Sequence, residues 1–239
     1  MSGGVGPSLR VSVVMPVWME AAGIVAALGA LQPLRAAGHE VIVVDGGSTD
    51  GTPDLARPLC DGVLPSAPGR AVQMNTGAAV ATGDVLLFLH ADTQLPDDAM
   101  AWIEQALSAR RVWGRFDVRL SGRHWMFPVI AWFMNQRSRL TGVCTGDQAL
   151  FVRRDAFEAL GGYREMPLME DVELSQRLCL VGRPFRVRSP VVTDSRRWEQ
   201  GGVWRTIVLM WRLRWRYWRG ESPESLAVLW RRNVRRADG

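Results

Sequence analysis

Two runs of apolar residues in this chain each lead into an aspartate. Residues 41–44 precede Asp45, and residues 85–89 precede His90 and, two positions later, Asp92. Short unbroken apolar runs are typical of strands that are buried on both faces of a parallel sheet. Open α/β sheets bind ligands just beyond the carboxyl ends of such strands. The sequence therefore predicts that the two carboxylates converge on one ligand.

Each aspartate alone also fits ordinary turn chemistry. Residues 45–52 combine glycines, small hydroxyl side chains and acids, as in a tight turn with a capping Ser or Thr, and Asp92 could cap a helix that begins near Pro96. The repeat of one arrangement in the same half of the chain favours a binding site. No G-x-G-x-x-G follows the first strand and no G-x-x-x-x-G-K-[ST] occurs, which argues against dinucleotide and Walker-type phosphate sites.

Alternating strands and helices must position these acids. In the first half, we predict strands at 10–17 (ending at Pro16), 41–45, 62–64 and 84–89, and helices at 20–37, 53–59 and 70–81. This alternation is typical of a doubly wound α/β half. It fades later, where we predict helices at 96–110, 124–140 and 170–180, strands at 113–120 and 149–152, and two Arg/Trp-rich helices near 203–218 and 223–235.

The composition fits one large α/β domain better than two small ones, since the chain has 239 residues of which 47% are hydrophobic. The formal net charge is +5, and every cation is Arg because the chain has no Lys. Arg favours contacts with phosphates and other anions, and the absence of Lys excludes Schiff-base and lysine-nucleophile chemistry. The basic residues are concentrated in residues 195–239. They match no recognised nucleic-acid module, so we expect no nucleic-acid partner.

The cysteines and the apolar runs bear on location. Cys60, Cys144 and Cys179 are odd in number and far apart, which argues against a disulfide framework or a structural zinc site and favours a reducing cytoplasm. The N-terminal residues lack the pattern of a signal peptide, and no run is long enough to span a bilayer. We expect a cytoplasmic protein that is neither secreted nor transmembrane.

Four segments together resemble family 2 glycosyltransferases of the GT-A fold. They are VMPVWME at 14–20, VVDGGSTDGT at 43–52, LHAD at 89–92 and EDVEL at 170–174, within a match from about residue 11 to 198. The resemblance implies an α/β GT-A fold with a Rossmann-like, mostly parallel central sheet flanked by helices, followed by C-terminal amphipathic helices. It implies a catalytic domain over 1–198, with a nucleotide half at about 10–95 and an acceptor half at about 96–198, and an Arg/Trp-rich helical tail over 199–239.

Four further segments are similar to a bacterial subgroup of that family. They are GRAVQMN at 69–75, WGRFDV at 113–118, TGDQ at 145–148 and SRRWE at 195–199. The subgroup is named for its association with radical-SAM/selenodomain and arsenosugar biosynthesis genes. The resemblance does not name an acceptor.

The resemblance implies which residues bind the nucleotide-sugar donor. Asp45 contacts the uracil or the ribose, Pro16 and Glu20 line the same pocket, and Arg70 lies near the base or the phosphates. Arg197 and Trp198 are similar to the end of the Q-x-x-R-W motif of processive synthases, although Asp194 stands where that motif has Gln. Arg197 is then a diphosphate contact, and the departure at Asp194 argues against processivity.

The D-x-D motif of the family falls on residues 90–92, and its last acid, Asp92, is the expected ligand of a divalent cation that bridges the donor diphosphate. His90 replaces the first Asp. Hard Mg²⁺ or Mn²⁺ prefers oxygen, although Mn²⁺ accepts imidazole, so His90 is either a metal ligand or a packed, hydrogen-bonded histidine.

Glu170 and Asp171 align with the acidic pair in which the family places its base. Displacement at the anomeric carbon needs a carboxylate that accepts the proton of the acceptor, while a metal offsets charge on the leaving diphosphate. The resemblance implies that Asp171 is the base and Glu170 its neighbour. The alternative is that both acids only satisfy the amides and the dipole at a helix N-terminus.

The tail allows two interpretations. At helical spacing, five apolar residues form one face beside a stripe of Arg: Trp204, Val208, Trp211, Trp215 and Trp218. Such a face is typical of a peripheral helix attracted to an anionic membrane surface on the inner side of the cell. The alternative is a helix that packs on the catalytic domain with Arg stems over Trp rings.

The resemblance thus implies an inverting, metal-dependent glycosyltransferase that transfers a sugar from a nucleotide-diphosphate donor, with a UDP-sugar favoured, to an unidentified acceptor. Two other classes remain as alternatives. One is a nucleotidyltransferase, which usually has a Gly-rich N-terminal loop with a Lys that is not seen here. The other is a non-catalytic membrane-surface or sugar-binding protein, in which the acidic pair would be dispensable.

Overall fold

The computed structural model describes residues 9–234, except for the side chains of Arg197, Arg232 and Val234. Its strands are β1 Val11–Val17, β2 Glu40–Asp45, β3 Gly62–Pro65, β4 Val85–Phe88, β5 Thr93–Gln94, β6 Trp113–Leu120, β7 Phe151–Arg153 and β8 Phe185–Thr193. Its α-helices are α1 Ile24–Gly29, α2 Gln32–Ala36, α3 Thr52–Ala56, α4 Arg70–Val80, α5 Ala99–Ser108, α6 Phe127–Thr141, α7 Arg154–Ala159, α8 Glu170–Val181, α9 Arg196–Gly201, α10 Val203–Trp218 and α11 Pro223–Val234.

The strands form one sheet in the order β3-β2-β1-β4-β7-β6-β8-β5. The pairs β3-β2, β2-β1, β1-β4 and β6-β8 are parallel, whereas β7 runs antiparallel to both of its neighbours and β5 is antiparallel to β8. The predicted α/β fold with a mostly parallel central sheet is confirmed. The strand direction changes at β7, beside β4.

Both faces of the sheet are buried. Side chains alternate along a strand, so Val13 and Val43 lie in one apolar cluster while Val14 and Val44 lie in the other. Helix α4 packs closely on the second face, because a Cβ at Gly77 would come within 2.5 Å of Val14. This double burial explains why the strands are short unbroken apolar runs.

Two predicted boundaries in the nucleotide half are wrong. The helix predicted at 20–37 is two short helices, α1 and α2, and Pro33 lies in the first turn of the second, where its missing N–H interrupts no helical hydrogen bond. Strand β1 does not stop at Pro16 but continues to Val17. The residue pairs between β1 and β4 end at Val14, so on the β4 side the segment around Pro16 is an edge of the sheet.

Strand β8 was not predicted, and neither were β5, α7 and α9. The run from Phe185 to Thr193 contains Arg186, Arg188 and Pro190, which are unusual in a buried strand. The sheet accommodates Pro190 at a register shift, where Phe116 pairs with Val187 but Asp117 pairs with Pro190. Such an irregularity is where a strand tolerates proline.

Helices α10 and α11 pack against the start of α8. Leu213 of α10 and Leu226 of α11 are buried in one apolar cluster with Met169 and Val172. Among the described residues, no helix combines the length and the apolar character that crossing a bilayer requires.

Candidate functional site

A main cavity of about 540 Å³ lies beyond the carboxyl ends of β1 and β4. Seven of the predicted site residues line it: Pro16, Glu20, Arg70, His90, Asp92, Glu170 and Asp171. The end of β1, the start of α4 and the segment after β4 therefore meet the N-terminus of α8, which comes much later in the sequence. A site beyond the carboxyl ends of parallel strands, at the point where the strand order reverses, is the usual position for a ligand in such a sheet, and here that point lies between β1 and β4.

An adjoining cavity of about 260 Å³ shares Glu20 and Asp92 with the main cavity. Trp198 of α9 lines it, as do Asp194 and Arg196. Arg196 forms an ion pair with Asp194 at 2.9 Å. The segment that resembles the end of the Q-x-x-R-W motif thus lies beside Asp92, while the side chain of Arg197 lies outside the described residues.

Asp45 ends β2, but its carboxylate is engaged in the turn that follows. It accepts the N–H of Gly47 at 3.1 Å and that of Ser48 at 3.0 Å, and the side chain is buried. Asp45 is not among the described residues that line the main cavity. Its hydrogen bonds match the turn interpretation, and its contact with a nucleoside stays a prediction.

Gln73 of α4 holds the ends of β1 and β2 together. Its buried Nε2 donates to the carbonyl oxygens of Val17 and Val44, each at 2.8 Å. One side chain therefore satisfies a buried carbonyl on each of two neighbouring strands. Gln73 also lines the main cavity, so this contact fixes part of the wall of the site.

The acidic pair lies at the N-terminus of α8, as predicted. Asp171 Oδ2 accepts the N–H of Gly146 at 2.6 Å, and Oδ1 accepts the N–H of Val172 at 2.7 Å. Residue Met169, which precedes the helix, has a φ of 72°, a left-handed conformation that non-glycine residues rarely adopt. Asp171 thus satisfies an amide of the helix start and also faces the cavity. Strained backbone of this kind is concentrated at functional sites.

Glu170 is buried beside Asp171 and 3.9 Å from Arg70. Burial, and then the negative charge of Asp171, raise the pKa of Glu170 to about 7, while Arg70 opposes this shift. Arg70 lies at the first position of α4. The ion pair therefore joins α4 to the N-terminus of α8 across the cavity.

His90 is packed against the backbone of Gly146. A Cβ at position 146 would come within 2.3 Å of its imidazole, so only glycine fits there without movement. Burial, and then the positive charge of Arg70, lower the pKa of His90, which favours the neutral imidazole. Its Nδ1 lies 3.8 Å from Asp147, beyond a hydrogen bond. These contacts are those of a packed histidine at the edge of the site.

The carboxylates around Asp92 can hold a divalent cation only with help from a ligand. Within residues 9–234, no group of three or more His, Cys, Asp and Glu side chains is arranged as a metal cage. Burial, and then the negative charge of Asp92, raise the pKa of Glu20. Mg²⁺ commonly uses one or two carboxylates and completes its shell with water and phosphate oxygens. Asp92, with Glu20 nearby, fits that arrangement.

Helix α10 packs on the rest of the chain, as the second interpretation of the tail predicts, and has an exposed aromatic side whose contact with a membrane stays a prediction. Its buried side, represented by Leu213, packs on the catalytic domain and lines the main cavity, while Trp204, Trp211, Trp215 and Trp218 are all more than half exposed. Arg219 lies over the ring of Trp215 at 5.1 Å from its centroid. The helix is therefore fixed to the domain and presents an aromatic face to the outside.

Several residues of the cavity were not assigned from the sequence. Asp147 and Gly146 belong to the TGDQ segment, which resembles a subgroup motif without a stated role, and Trp18 belongs to the segment around Pro16. Arg214 also lines the main cavity, but nothing in the Arg/Trp pattern of α10 distinguishes it from the exposed arginines.

Comparisons with known proteins agree with this geometry. The chain is 25% identical over 197 residues to a beta-monoglucosyldiacylglycerol synthase of Nostoc sp., covering 70% of this chain and 41% of that protein. It is 28% identical over 210 residues to a PGL/p-HBAD biosynthesis glycosyltransferase of Mycobacterium bovis, covering 82% and 80%. The chain spans less than half the length of the Nostoc relative.

Solved structures share the fold. A mannosyltransferase of Pyrobaculum calidifontis in complex with GDP-Man and Mn²⁺ superposes with a TM-score of 0.61 at 24% identity, over 78% of this chain and 56% of that chain. A glucosyl-3-phosphoglycerate synthase of Mycobacterium tuberculosis in complex with Mn²⁺, UDP and glucosyl-3-phosphoglycerate gives a TM-score of 0.59 at 21% identity, over 84% and 78%. These likenesses confirm the GT-A fold. The model of the family described as Glycosyl transferase family 2 matches residues 12–161, which is more than half of this chain, and the chain therefore belongs to that family.

Proposed function

We propose that this chain is an inverting, metal-dependent glycosyltransferase that moves a sugar from a nucleotide-diphosphate donor, preferably a UDP-sugar, to an acceptor hydroxyl. One observation carries the proposal: Asp92 and Asp171 line the same cavity although they are far apart in sequence. Transfer needs one carboxylate at the leaving diphosphate and another at the acceptor, and the cavity offers both.

The residues on each side of the cavity have different roles in this proposal. On the donor side, Asp92 would hold the cation, which would supply positive charge for the leaving diphosphate, while Arg70 and Trp198 contact the nucleotide. On the acceptor side, Asp171 accepts the proton of the acceptor hydroxyl. The N–H of Gly146 holds one oxygen of Asp171, which fixes the direction of the carboxylate.

Related proteins support the choice of donor and cation. The Pyrobaculum mannosyltransferase was solved with GDP-Man and Mn²⁺, and the Mycobacterium tuberculosis synthase with UDP and either Mn²⁺ or Mg²⁺. A further structure, of S. aureus TarS, contains UDP-GlcNAc. The family match disfavours a nucleotidyltransferase. The motifs at 69–75 and 195–199 support the proposal that the chain belongs to the radical-SAM/selenodomain-associated subgroup.

The donor site is tested by thermal unfolding of the protein with UDP or GDP and with Mn²⁺ or Mg²⁺. Saturating UDP at about 100 times its Kd should stabilise the native protein by about 2.7 kcal/mol, which is a rise of roughly 5–10 °C in Tm at this chain length. Asp92→Ala should lose most of that shift, and Asp97→Ala, a change of an exposed acid, should keep it. An equal shift in Asp92→Ala contradicts the assignment of Asp92.

The base is tested by the rate at which UDP is released from a UDP-sugar. Asp171→Asn should lower kcat by about 10²–10⁴, because a positioned general base contributes that much. The UDP affinity should change far less than kcat. An unchanged kcat would contradict the assignment of Asp171 as the base.

The exposed aromatic face of α10 favours a second function, binding to an anionic membrane surface. Four tryptophans project from a helix that is fixed to the catalytic domain, and an apolar face flanked by Arg is typical of interfacial helices. The Nostoc relative is named as a synthase of a glucosylated diacylglycerol, which is a lipid product. We therefore propose that the chain works as a peripheral protein at such a surface.

A further inference from the structure

The guanidinium group of Arg137, on α6, has no hydrogen-bond partner among the residues that the structure describes. Its Nε, Nη1 and Nη2 are all buried, and within the described residues none of them forms a hydrogen bond. Buried charges in native proteins are nearly always paired, because the loss of hydration is otherwise uncompensated. An unpaired buried guanidinium therefore indicates a missing anionic ligand rather than a structural role.

A second arginine, Arg214 of α10, lies close to the first. Burial, and then the positive charge of Arg214, lower the pKa of Arg137 to about 10. Burial also lowers the pKa of Arg214, while the negative charge of Asp171 opposes the shift in both groups. Asp171 is not their partner, since its oxygens accept backbone N–H groups and the carboxylate forms no ion pair with either arginine within 9–234.

Both arginines line a side cavity of about 650 Å³ between α6, α8 and the turn after α10. Arg214 lines the main cavity as well, together with Met169 and Val172, so the two cavities share a wall at the start of α8. Thr141, Gln176 and Tyr217 add polar groups to the side cavity. Two like charges in the wall of one cavity form an anion site, and Glu221, an acid in the same lining, is already paired with Arg216.

We propose that Arg137 and Arg214 bind a phosphate group of the acceptor, so that the acceptor is a phosphate ester whose reacting hydroxyl lies at Asp171. Two guanidinium groups match a phosphate, which carries about −1.5 to −2 charges at neutral pH, better than a carboxylate with one. This inference rests on the proposed glycosyl transfer for the role of the ligand. The anion site itself rests only on the two arginines.

The position of the site indicates the acceptor rather than the donor. The side cavity contains neither Asp92 nor Arg70, which stand where the donor diphosphate is expected. It instead borders the first turn of α8, where Asp171 lies. A phosphate held between α6 and α10 would therefore place the rest of its molecule towards the base.

The anion site is tested with radiolabelled inorganic phosphate in equilibrium dialysis. The wild-type protein should bind phosphate, and Arg137→Gln and Arg214→Gln should each bind it at least about tenfold more weakly, because each removes a charge-assisted hydrogen-bond donor. Arg212→Gln changes an exposed arginine of the same helix and should bind within about twofold of wild type. Equal binding by Arg137→Gln and the wild type overturns the proposal.

A second variant separates ligand binding from folding. Arg137→Met removes an unpaired buried charge, so in phosphate-free buffer its Tm should equal or exceed that of the wild type. Added phosphate should raise the Tm of the wild type but not that of Arg137→Met. A Tm of Arg137→Met several degrees below wild type without phosphate shows that Arg137 has a structural partner, and the proposal is then wrong.

Binding of UDP with Mn²⁺ to the same variants separates this inference from the proposed function. If UDP binds and phosphate binding does not depend on the arginines, the inference fails and the function stands. If phosphate binding depends on the arginines and UDP does not bind, the anion site stands and the function fails. If Arg137→Gln weakens UDP as much as phosphate, the site belongs to the donor and the acceptor assignment is overturned.

The source of the phosphate is determined by displacement. Trp218, which is 80% exposed, lines the side cavity, so a lipid head group can reach its mouth. Bound phosphate is challenged with vesicles of phosphatidylcholine that contain phosphatidic acid, and with vesicles of phosphatidylcholine alone. Displacement by the first but not by the second shows that the natural phosphate ligand is a lipid. Displacement by glycerol 1-phosphate and not by those vesicles assigns it to a soluble ester, and displacement by neither overturns the proposal.

Discussion

Glu170 is a buried carboxyl group that can change its charge near neutral pH. Its position between Asp171 and Arg70 gives it one neighbour that favours the protonated form and one that favours the carboxylate. Burial decides the balance, so the proton is held more tightly in the folded chain than in the unfolded one. The charge of the acidic pair in the main cavity therefore depends on pH.

The pKa of Glu170 gives a prediction about stability. The folded pKa of about 7 exceeds the ordinary value of 4.5. The contribution of protonated Glu170 to the free energy of unfolding is therefore full below about pH 4.5 and is lost as the pH rises towards 7. Relative to Glu170→Gln, the wild type should lose up to about 3 kcal/mol in the free energy of unfolding across that range. Urea unfolding at several pH values measures this.

The matched control for Glu170 is Glu104→Gln, a change of an exposed acid on α5. It should follow the wild-type pH dependence throughout. A difference between Glu170→Gln and wild type that stays constant from pH 4.5 to pH 7 would contradict the raised pKa.

Some residues of the site could be predicted from the sequence and others could not. Asp92 and Asp171 were located because motifs carry them, and the cavity contains both. The hydrogen bonds of Asp45 follow the turn, an alternative that its glycine-rich surroundings left open. Arg137 and Arg214 were not identified, because burial without a partner arises from the packing of α6, α8 and α10 and has no local sequence pattern.

At the level of elements, α4 stabilises the ligand edge of the sheet through Gln73. Gln73→Leu should lower the free energy of unfolding by about 1–3 kcal/mol, because it leaves the buried carbonyls of Val17 and Val44 without their side-chain donor. Gln105→Leu, at an exposed position of α5, should change it by less than about 0.5 kcal/mol. Urea unfolding compares them, and equal losses would show that the Gln73 contacts contribute nothing.

Helix α10 gives a prediction about membrane binding. The double variant Trp211→Ser and Trp215→Ser should bind vesicles that contain anionic lipid at least about tenfold more weakly, since each tryptophan loses apolar area that would enter the interface. Its Tm should stay close to wild type because both side chains are exposed. Vesicle flotation at low salt measures binding.

The control for α10 is Val80→Ser, which changes an exposed apolar residue at the end of α4. It should bind vesicles as the wild type does. Unchanged binding of the double tryptophan variant would remove the peripheral-membrane proposal without affecting the donor site.

For the molecule as a whole, the sequence predicted the strands of the nucleotide half because they are apolar on both faces. It did not predict β8, in which Arg186 pairs with Asp117, Arg188 is exposed and Pro190 lies at a register shift. Arg186 donates to Asp117 at 2.6 Å, and Arg115 pairs with the same carboxylate. Such compensation is made between distant segments, so no window of the sequence shows it.

The two sides of α10 also set a distance. Leu213 lines the main cavity and lies nearly opposite Trp211 around the helix, at 3.6 residues per turn. A helix with its side chains is about 10–12 Å across, so a surface that contacts Trp211 is held about that far from the cavity wall. For an acceptor anchored in such a surface, α10 acts as a spacer: its reacting hydroxyl must stand clear of the anchoring plane by at least the thickness of one helix.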